Sequence, residues 1–197
     1  GNMDQKEFFN EIADQWDEIT KHNLMKAELL VGMLGIQQGD KVLDVGTGTG
    51  VLIPILSSYT DSGNITAIDV AENMIEVAKK KFKNSQVRFI ADDVLQHSFG
   101  NEQFAFIVCY SMFPHFPDKA KAIQGLSALL AENGKLAIIH SNSRDEINAH
   151  HSKCDDAVRE DKLPLAPVLM DMMTHNGLRE EILIDNEQMY LVCGKKI

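Results

Sequence analysis

The stretch from Val42 to Gly50 reads VLDVGTGTG. A short apolar run, Lys41-Val-Leu-Asp-Val45, leads into three glycines at alternate positions, and a helical pattern near 50–58 follows. The run has the character of a strand buried on both faces. The glycines permit a tight turn and close approach of a ligand to the backbone. The N-terminus of the following helix presents free N–H groups, an arrangement that suits a nucleotide-like ligand. No Gly-Lys-Ser/Thr follows, which excludes a P-loop, and the third glycine falls one residue early for the dinucleotide fingerprint G-x-G-x-x-G. Asp44, two residues before the first glycine, would repel a pyrophosphate. A carboxylate there suits a ligand that carries an ammonium and a sulfonium.

Outward from this loop, apolar runs alternate with helical patterns. Asn64–Ile68, Gln86–Ile90, Phe104–Cys109 and Lys135–Ile139 repeat the style of the first strand, with helix patterns near 71–83 and 118–131 between them. Such alternation predicts an α/β fold with a doubly wound, mostly parallel sheet and helices on both faces. Glu181–Asp185 and Gln188–Cys193 are separated by a short polar turn, which predicts an antiparallel C-terminal hairpin and seven strands in all. The expected organisation is a single domain over residues 1–197. Residues 3–35 read as two helices forming an N-terminal cover. Residues 141–177 read as a helical insertion between strands five and six, too long for a simple connection.

Composition bounds the function. The 197 residues carry 19 Lys and Arg against 29 Asp and Glu, a net charge of −10, so the chain is no nucleic-acid coat. Lys79, Lys80, Lys81 and Lys83 read as the solvated end of a helix, where cations suit the macrodipole. Three dispersed cysteines, Cys109, Cys154 and Cys193, imply no disulfide framework and fit a reducing cytoplasm. No apolar run is long enough to span a bilayer. Asp4, Glu7 and Glu11, with no apolar segment, argue against a signal peptide.

Four motifs in order, each at a strand end, resemble the class I S-adenosylmethionine-dependent methyltransferases. The likeness covers roughly residues 8–140 and is strongest to the type 11 small-molecule group, which includes the ubiquinone and menaquinone methyltransferases. The first motif is the glycine loop with Asp44. The second is Asp69 in ITAIDVAENM, 69 − 50 = 19 residues past the last glycine, where an acidic side chain accepts both ribose hydroxyls. Asp69-x-x-Glu72 also fits a capping box for a helix starting near Ala71. The third is FIADDVLQ; the resemblance implies that Asp92 binds the adenine amino group and that the next residue's backbone touches the ring. The residues themselves leave Asp92 and Asp93 open, with Asp92 preferred. The fourth is CYSMFPHFPD after strand four. Cofactor contacts are therefore expected from Asp44, Gly46, Thr47, Gly48, Gly50, Asp69, Val70, Met74, Asp92, Asp93 and Tyr110. Val70 and Met74 serve as apolar walls, and plain core is the alternative for Met74.

The implied reaction is an in-line displacement, in which an acceptor takes the methyl group from the sulfonium and the protein supplies alignment. The acceptor site should lie beyond strands four and five. Tyr110, Ser111, Met112, Phe113 and His115 would stand on one side, with His140 and Ser141 on the other. Phe8, Ile12 and Trp16, one face of a helix, could cover it, although core packing is the commoner meaning of such a stripe. In HSNSRDEINAHH (140–151), Ser143 and Glu146 form a capping box that starts a helix at Arg144, expected to run to about Arg159. Ile147, His151, Cys154 and Val158 share one face of it. His115, His140 and His151 are the candidate groups for binding or deprotonating the acceptor, since imidazole titrates near neutral pH. Wall residues and a zinc-like site are the alternatives. No recognised metal-ligand spacing is present, so no metal is assigned.

The function expected is methyl transfer from S-adenosylmethionine to a small-molecule acceptor by a cytoplasmic transferase of Rossmann-like fold. No nucleic-acid partner and no membrane span are expected. The alternatives are a module that binds S-adenosylmethionine or a metal without turnover, and a nicotinamide-dependent oxidoreductase.

Overall fold

In the computed structural model the described residues are 23–149, the backbone of 150–152, and 162–197. The stripe Phe8, Ile12 and Trp16, the side chain of His151, and Cys154 and Val158 lie outside the described residues.

Seven strands form one sheet: β1 (Val42–Val45), β2 (Ile65–Asp69), β3 (Arg88–Ala91), β4 (Phe104–Tyr110), β5 (Leu130–His140), β6 (Leu178–Asp185) and β7 (Tyr190–Lys196). Their spatial order is β3-β2-β1-β4-β5-β7-β6. β1 pairs in parallel with β2 and β4, β2 with β3, and β4 with β5. β7 runs antiparallel to both β5 and β6, which is the expected closing hairpin.

The period-2 alternation of strand side chains sends neighbouring residues to opposite faces. Val42 joins one apolar cluster and Leu43 the other. On the Val42 face pack residues 23–32 (α1), through Ala27, Leu30 and Val31, and α2 (Ile53–Leu56). On the Leu43 face pack α4 (Lys119–Ala128), through Ala122, Ile123 and Leu126, and α6 (Ala166–Thr174), through Leu169, Met170 and Met173. α3 (Glu72–Lys81) buries Ile75 and Ala78 and ends in Lys79, Lys80 and Lys81, as expected. α5 (Arg144–Ser152) starts at the predicted residue, and Ser143 Oγ accepts from the Glu146 N–H at 3.1 Å.

Several boundaries differ from the sequence expectation. The helical pattern at 118–131 stops at Ala128, because Leu130 pairs with Phe104 and opens β5 five residues before Lys135. A register shift and Asn133 at φ +64° absorb the early start. β6 begins at Leu178 rather than Glu181. The capping-box reading of Asp69 is corrected. Ala71 is the N-cap of α3, with no side-chain cap, and Asp69 lies two residues too early.

Candidate active site

The carboxyl ends of β1, β2, β3, β4 and β5 meet along one edge, where open α/β sheets bind ligands. Most predicted site residues come together there, and their local chemistry divides them.

The loop after β1 puts Gly46, Gly48 and Gly50 at φ of +71°, +58° and +87°. Two of these glycines are required for different reasons. A methyl group at Gly46 would come within 2.5 Å of Met112 Cγ, so the protein's own packing fills that space. A methyl group at Gly48 would meet nothing within 4 Å. The backbone at Gly48 therefore faces an open cradle that a ligand can approach closely.

Asp69 borders that cradle. Its Oδ2 accepts from the Gly48 N–H at 2.8 Å and its Oδ1 from the Ala71 N–H at 2.9 Å. The carboxylate thus ties the glycine loop to the end of β2. With about four lone-pair positions in all, it keeps capacity for a ligand diol. Val70 and Met74 project beside it, 71% and 46% exposed. That exposure removes the plain-core alternative for Met74 and leaves an apolar surface open at this edge.

Asp44 is buried, and Thr47 Oγ1 donates to its Oδ2 at 2.7 Å. Burial pushes its carboxyl up to about 7, Thr47 opposes that rise, and the Asp69 charge adds to it. A carboxylate in this state gains most from a cationic partner. Burial also raises the Cys109 thiol, reinforced by Asp44, so Cys109 behaves as core.

The loop after β3 separates its two acidic residues. Asp92 turns onto its own loop: Oδ1 accepts from the Asp93 N–H at 2.8 Å, and Oδ2 lies 2.9 Å from His97 Nδ1. The His97 hydrogen bond, then the Asp93 N–H, holds the Asp92 carboxyl below its usual range. Asp93 Oδ1 accepts from the Leu95 N–H at 2.9 Å. Among the described residues nothing donates to its other oxygen. His97 was not singled out from the sequence, since a contact across a tight turn carries no periodic signal.

After β4, Ser111 adopts φ +56°, an uncommon conformation for a residue with a side chain. Phe113 is fully buried and packs edge-to-face on Phe116, with ring centroids 5.6 Å apart. It belongs to the core, which corrects its placement on a pocket wall. His115 is exposed on the 3-10 turn Phe113–His115. Lys119 grips that turn by donating to the carbonyls of Pro114 and Phe116, on either side of His115.

His140 differs from His115. It is 4% exposed, and its ring stands edge-to-face on Tyr190 across the β5–β7 pair, centroids 6.0 Å apart. Tyr190 donates to the Pro164 carbonyl at 2.9 Å, and Asp185 accepts from the Ala166 N–H at 3.1 Å. His140 therefore sits within the packing that joins the start of α6 to the sheet. Of the three candidate histidines, His115 is exposed, His140 is buried, and the His151 side chain lies outside the described residues. Among the described residues no group of three or more His, Cys, Asp or Glu side chains could hold a metal ion.

Strand order and loop together define the class, a Rossmann-like methyltransferase fold. Residues 42–134, just under half of the chain, match the methyltransferase-domain family. It is similar to a malonyl-[acyl-carrier protein] O-methyltransferase of Acetivibrio thermocellus, 31% identical over 131 residues, or 66% of this chain and 46% of that one. A ubiquinone biosynthesis O-methyltransferase of Coxiella burnetii is 29% identical over 145 residues, 68% of this chain and 61% of that one. The chain spans about half the length of these relatives. Among solved structures, the N-methyltransferase NodS of Bradyrhizobium japonicum, in complex with S-adenosylhomocysteine, superposes with a TM-score of 0.64 at 19% identity. That match covers 89% of this chain and 86% of NodS, and it shows the shared fold.

Proposed function

We propose that this chain binds S-adenosylmethionine at the carboxyl edge of β1 to β4 and methylates a small-molecule acceptor. The observation that carries the reading is the open cradle at Gly48, bordered by Asp69 on one side and by the exposed Val70 and Met74 on another. The similarity to a malonyl-[acyl-carrier protein] O-methyltransferase and to a ubiquinone biosynthesis O-methyltransferase supports methyl transfer.

The donor set fits the cofactor part by part. Asp44 supplies negative charge for the ammonium and sulfonium. Asp69 supplies lone pairs for the ribose hydroxyls, and Val70 and Met74 flank the base. Asp93 is preferred to Asp92 for the adenine amino group, because Asp92 is already engaged by His97. When bound, the cofactor supplies an electrophilic methyl group for in-line displacement by the acceptor. The protein's share is alignment, which supplies on the order of 7–11 kcal/mol when reacting atoms are held near attack distance.

Of the three histidines, His115 is the one assigned to the acceptor. It is exposed, on a turn clamped by Lys119, just past the β4 end. His140 is assigned to the wall. The N-terminal cover at 3–35 and the insertion at 141–177 are the elements that would enclose the acceptor, within one domain. Among the described residues no helix is long and apolar enough to cross a membrane. The buried free thiols Cys109 and Cys193 agree with a cytoplasmic setting and the negative charge with a partner other than nucleic acid.

Titration calorimetry with S-adenosylmethionine, S-adenosylhomocysteine and NAD tests the cofactor. Binding of the first two and not of NAD is expected. Tight NAD binding with no S-adenosylmethionine binding would instead make the chain an oxidoreductase. Release of S-adenosylhomocysteine across a panel of hydroxyl, amine and thiol acceptors tests turnover. Silence with every acceptor favours a binding module.

A further inference from the structure

Met112 belongs to two parts of the site at once. Its side chain lies on the glycine loop. A methyl group at Gly46 would come within 2.5 Å of Met112 Cγ, 2.9 Å of its Cβ and 3.1 Å of its Cε. The thioether is therefore folded over the glycine and fills the space that a side chain there would take. The Met112 backbone serves the other part. Met112 is the N-cap of the 3-10 turn Phe113–His115, and its carbonyl accepts from the His115 N–H at 3.0 Å. One half-buried residue thus touches the loop under the cofactor with its side chain and holds His115 with its main chain.

The turn that Met112 caps is held as one piece. Lys119 donates to the carbonyls on either side of His115, and the Phe116 N–H donates to the Phe113 carbonyl at 3.1 Å. Upstream, the Ser111 N–H donates to the Ile139 carbonyl at 2.9 Å, which ties the end of β4 to β5. The chain changes direction between this tied strand end and the clamped turn, at Ser111, whose φ is +56°. Sparsely populated backbone at such a junction is kept where the surroundings determine it. Methionine suits the position beside it. An unbranched side chain with three rotatable bonds can follow a shift of its neighbour without losing contact, where a stiff β-branched one could not.

We propose that Met112 is a positioning residue that couples the cofactor loop to the acceptor turn. A ligand in the Gly48 cradle draws on Asp69, whose Oδ2 also accepts from the Gly48 N–H at 2.8 Å. The adjustment of the loop reaches His115 through Gly46, the Met112 side chain and the Met112 carbonyl. The imidazole is thereby set for the acceptor once the cofactor is in place. Linkage makes the effect reciprocal, so an acceptor held at His115 tightens cofactor binding by the same factor. The inference rests on the S-adenosylmethionine reading and on the assignment of His115 to the acceptor.

Nuclear magnetic resonance on the full chain, labelled at methionine methyls and histidine rings, tests it with S-adenosylhomocysteine as the probe. The Met112 and His115 signals are identified by their absence in Met112→Leu and His115→Gln. In the wild type both signals are expected to shift on titration, with the midpoint that calorimetry gives for binding. This arm needs no folded variant, and a His115 signal that stayed in place would overturn the coupling. Met112→Ala should still bind S-adenosylhomocysteine, which certifies its fold, but lose the His115 shift. Met112→Leu, of similar reach, should restore it. A His115 shift that survived in Met112→Ala would mean direct contact with the ligand and would overturn the role of Met112. Loss of binding in Met112→Ala would overturn it too, by placing Met112 in the cofactor site. Full turnover by His115→Gln across the acceptor panel would remove the assignment on which the inference rests. A wild-type chain that failed to bind S-adenosylhomocysteine would overturn the cofactor reading itself, and the coupling with it.

Discussion

Gly46 and Gly48 are two residues apart, yet substitution should separate them cleanly. Both have positive φ, so a side chain at either costs about 1–2 kcal/mol of backbone strain. At Gly46 the new methyl group also meets Met112, adding about 1–3 kcal/mol of overpacking. Gly46→Ala is therefore expected to lower the urea midpoint markedly. Gly48→Ala should cost only the strain but lose most S-adenosylmethionine affinity, because the added methyl enters the cradle. Denaturant titration beside calorimetry checks the pair. Equal stability losses with equal affinities would show that the cradle is not where the ligand lies. At this scale much was legible: three alternate glycines with an acid ahead of them indicated a close backbone approach. Which glycine serves packing and which serves the ligand was not legible, since Met112 reaches the loop from 66 residues away in the chain.

Among elements, the loop after β3 shows how a short connection divides labour between adjacent residues. Asp92 and Asp93 are chemically identical and both directly follow β3. Their roles part because His97, four residues past Asp93, folds back on Asp92. Asp93→Asn is expected to weaken S-adenosylhomocysteine roughly tenfold or more by losing an acceptor for the adenine amino group. Asp92→Asn should change affinity only a few-fold. The 6-oxo analogue, which has no amino group, provides the control: its affinity should not fall in Asp93→Asn. The reverse ranking would restore Asp92 to the role first expected from the motif. Beyond β5, the Ser143–Glu146 cap was legible as a local pattern and formed. The Asn148 side chain that pairs with both backbone groups of Leu163 was not, because its partner is 15 residues distant.

For the molecule as a whole, Asp44 links stability to pH. Its folded value is raised from 3.8 to about 7, so the folded state binds a proton more tightly than the unfolded chain. Stability from this group is present below pH ~4 and is lost as pH rises through about 7, by at most ~4 kcal/mol. Thermal denaturation between pH 4.5 and 7.5 should show that slope in the wild type and not in Asp44→Asn, where no ionisation is forced on the interior. Superimposable profiles would sink the idea. S-adenosylmethionine, bringing positive charge to the ionised form, is expected to reduce the slope and to release a proton on binding below pH 7.

The alternation of apolar runs and helical patterns determined the sheet, and its strand ends located the glycine loop, Asp44 and Asp69. Those features are local, set by side-chain periodicity and by the backbone freedom of glycine. The tertiary structure alone decided which of Asp92 and Asp93 keeps an oxygen available and which of His115 and His140 is exposed. The physical reason is the same in each case. A hydrogen bond or packing contact between residues distant in sequence, such as Ser141 with Asn23, leaves no trace in the spacing of either one.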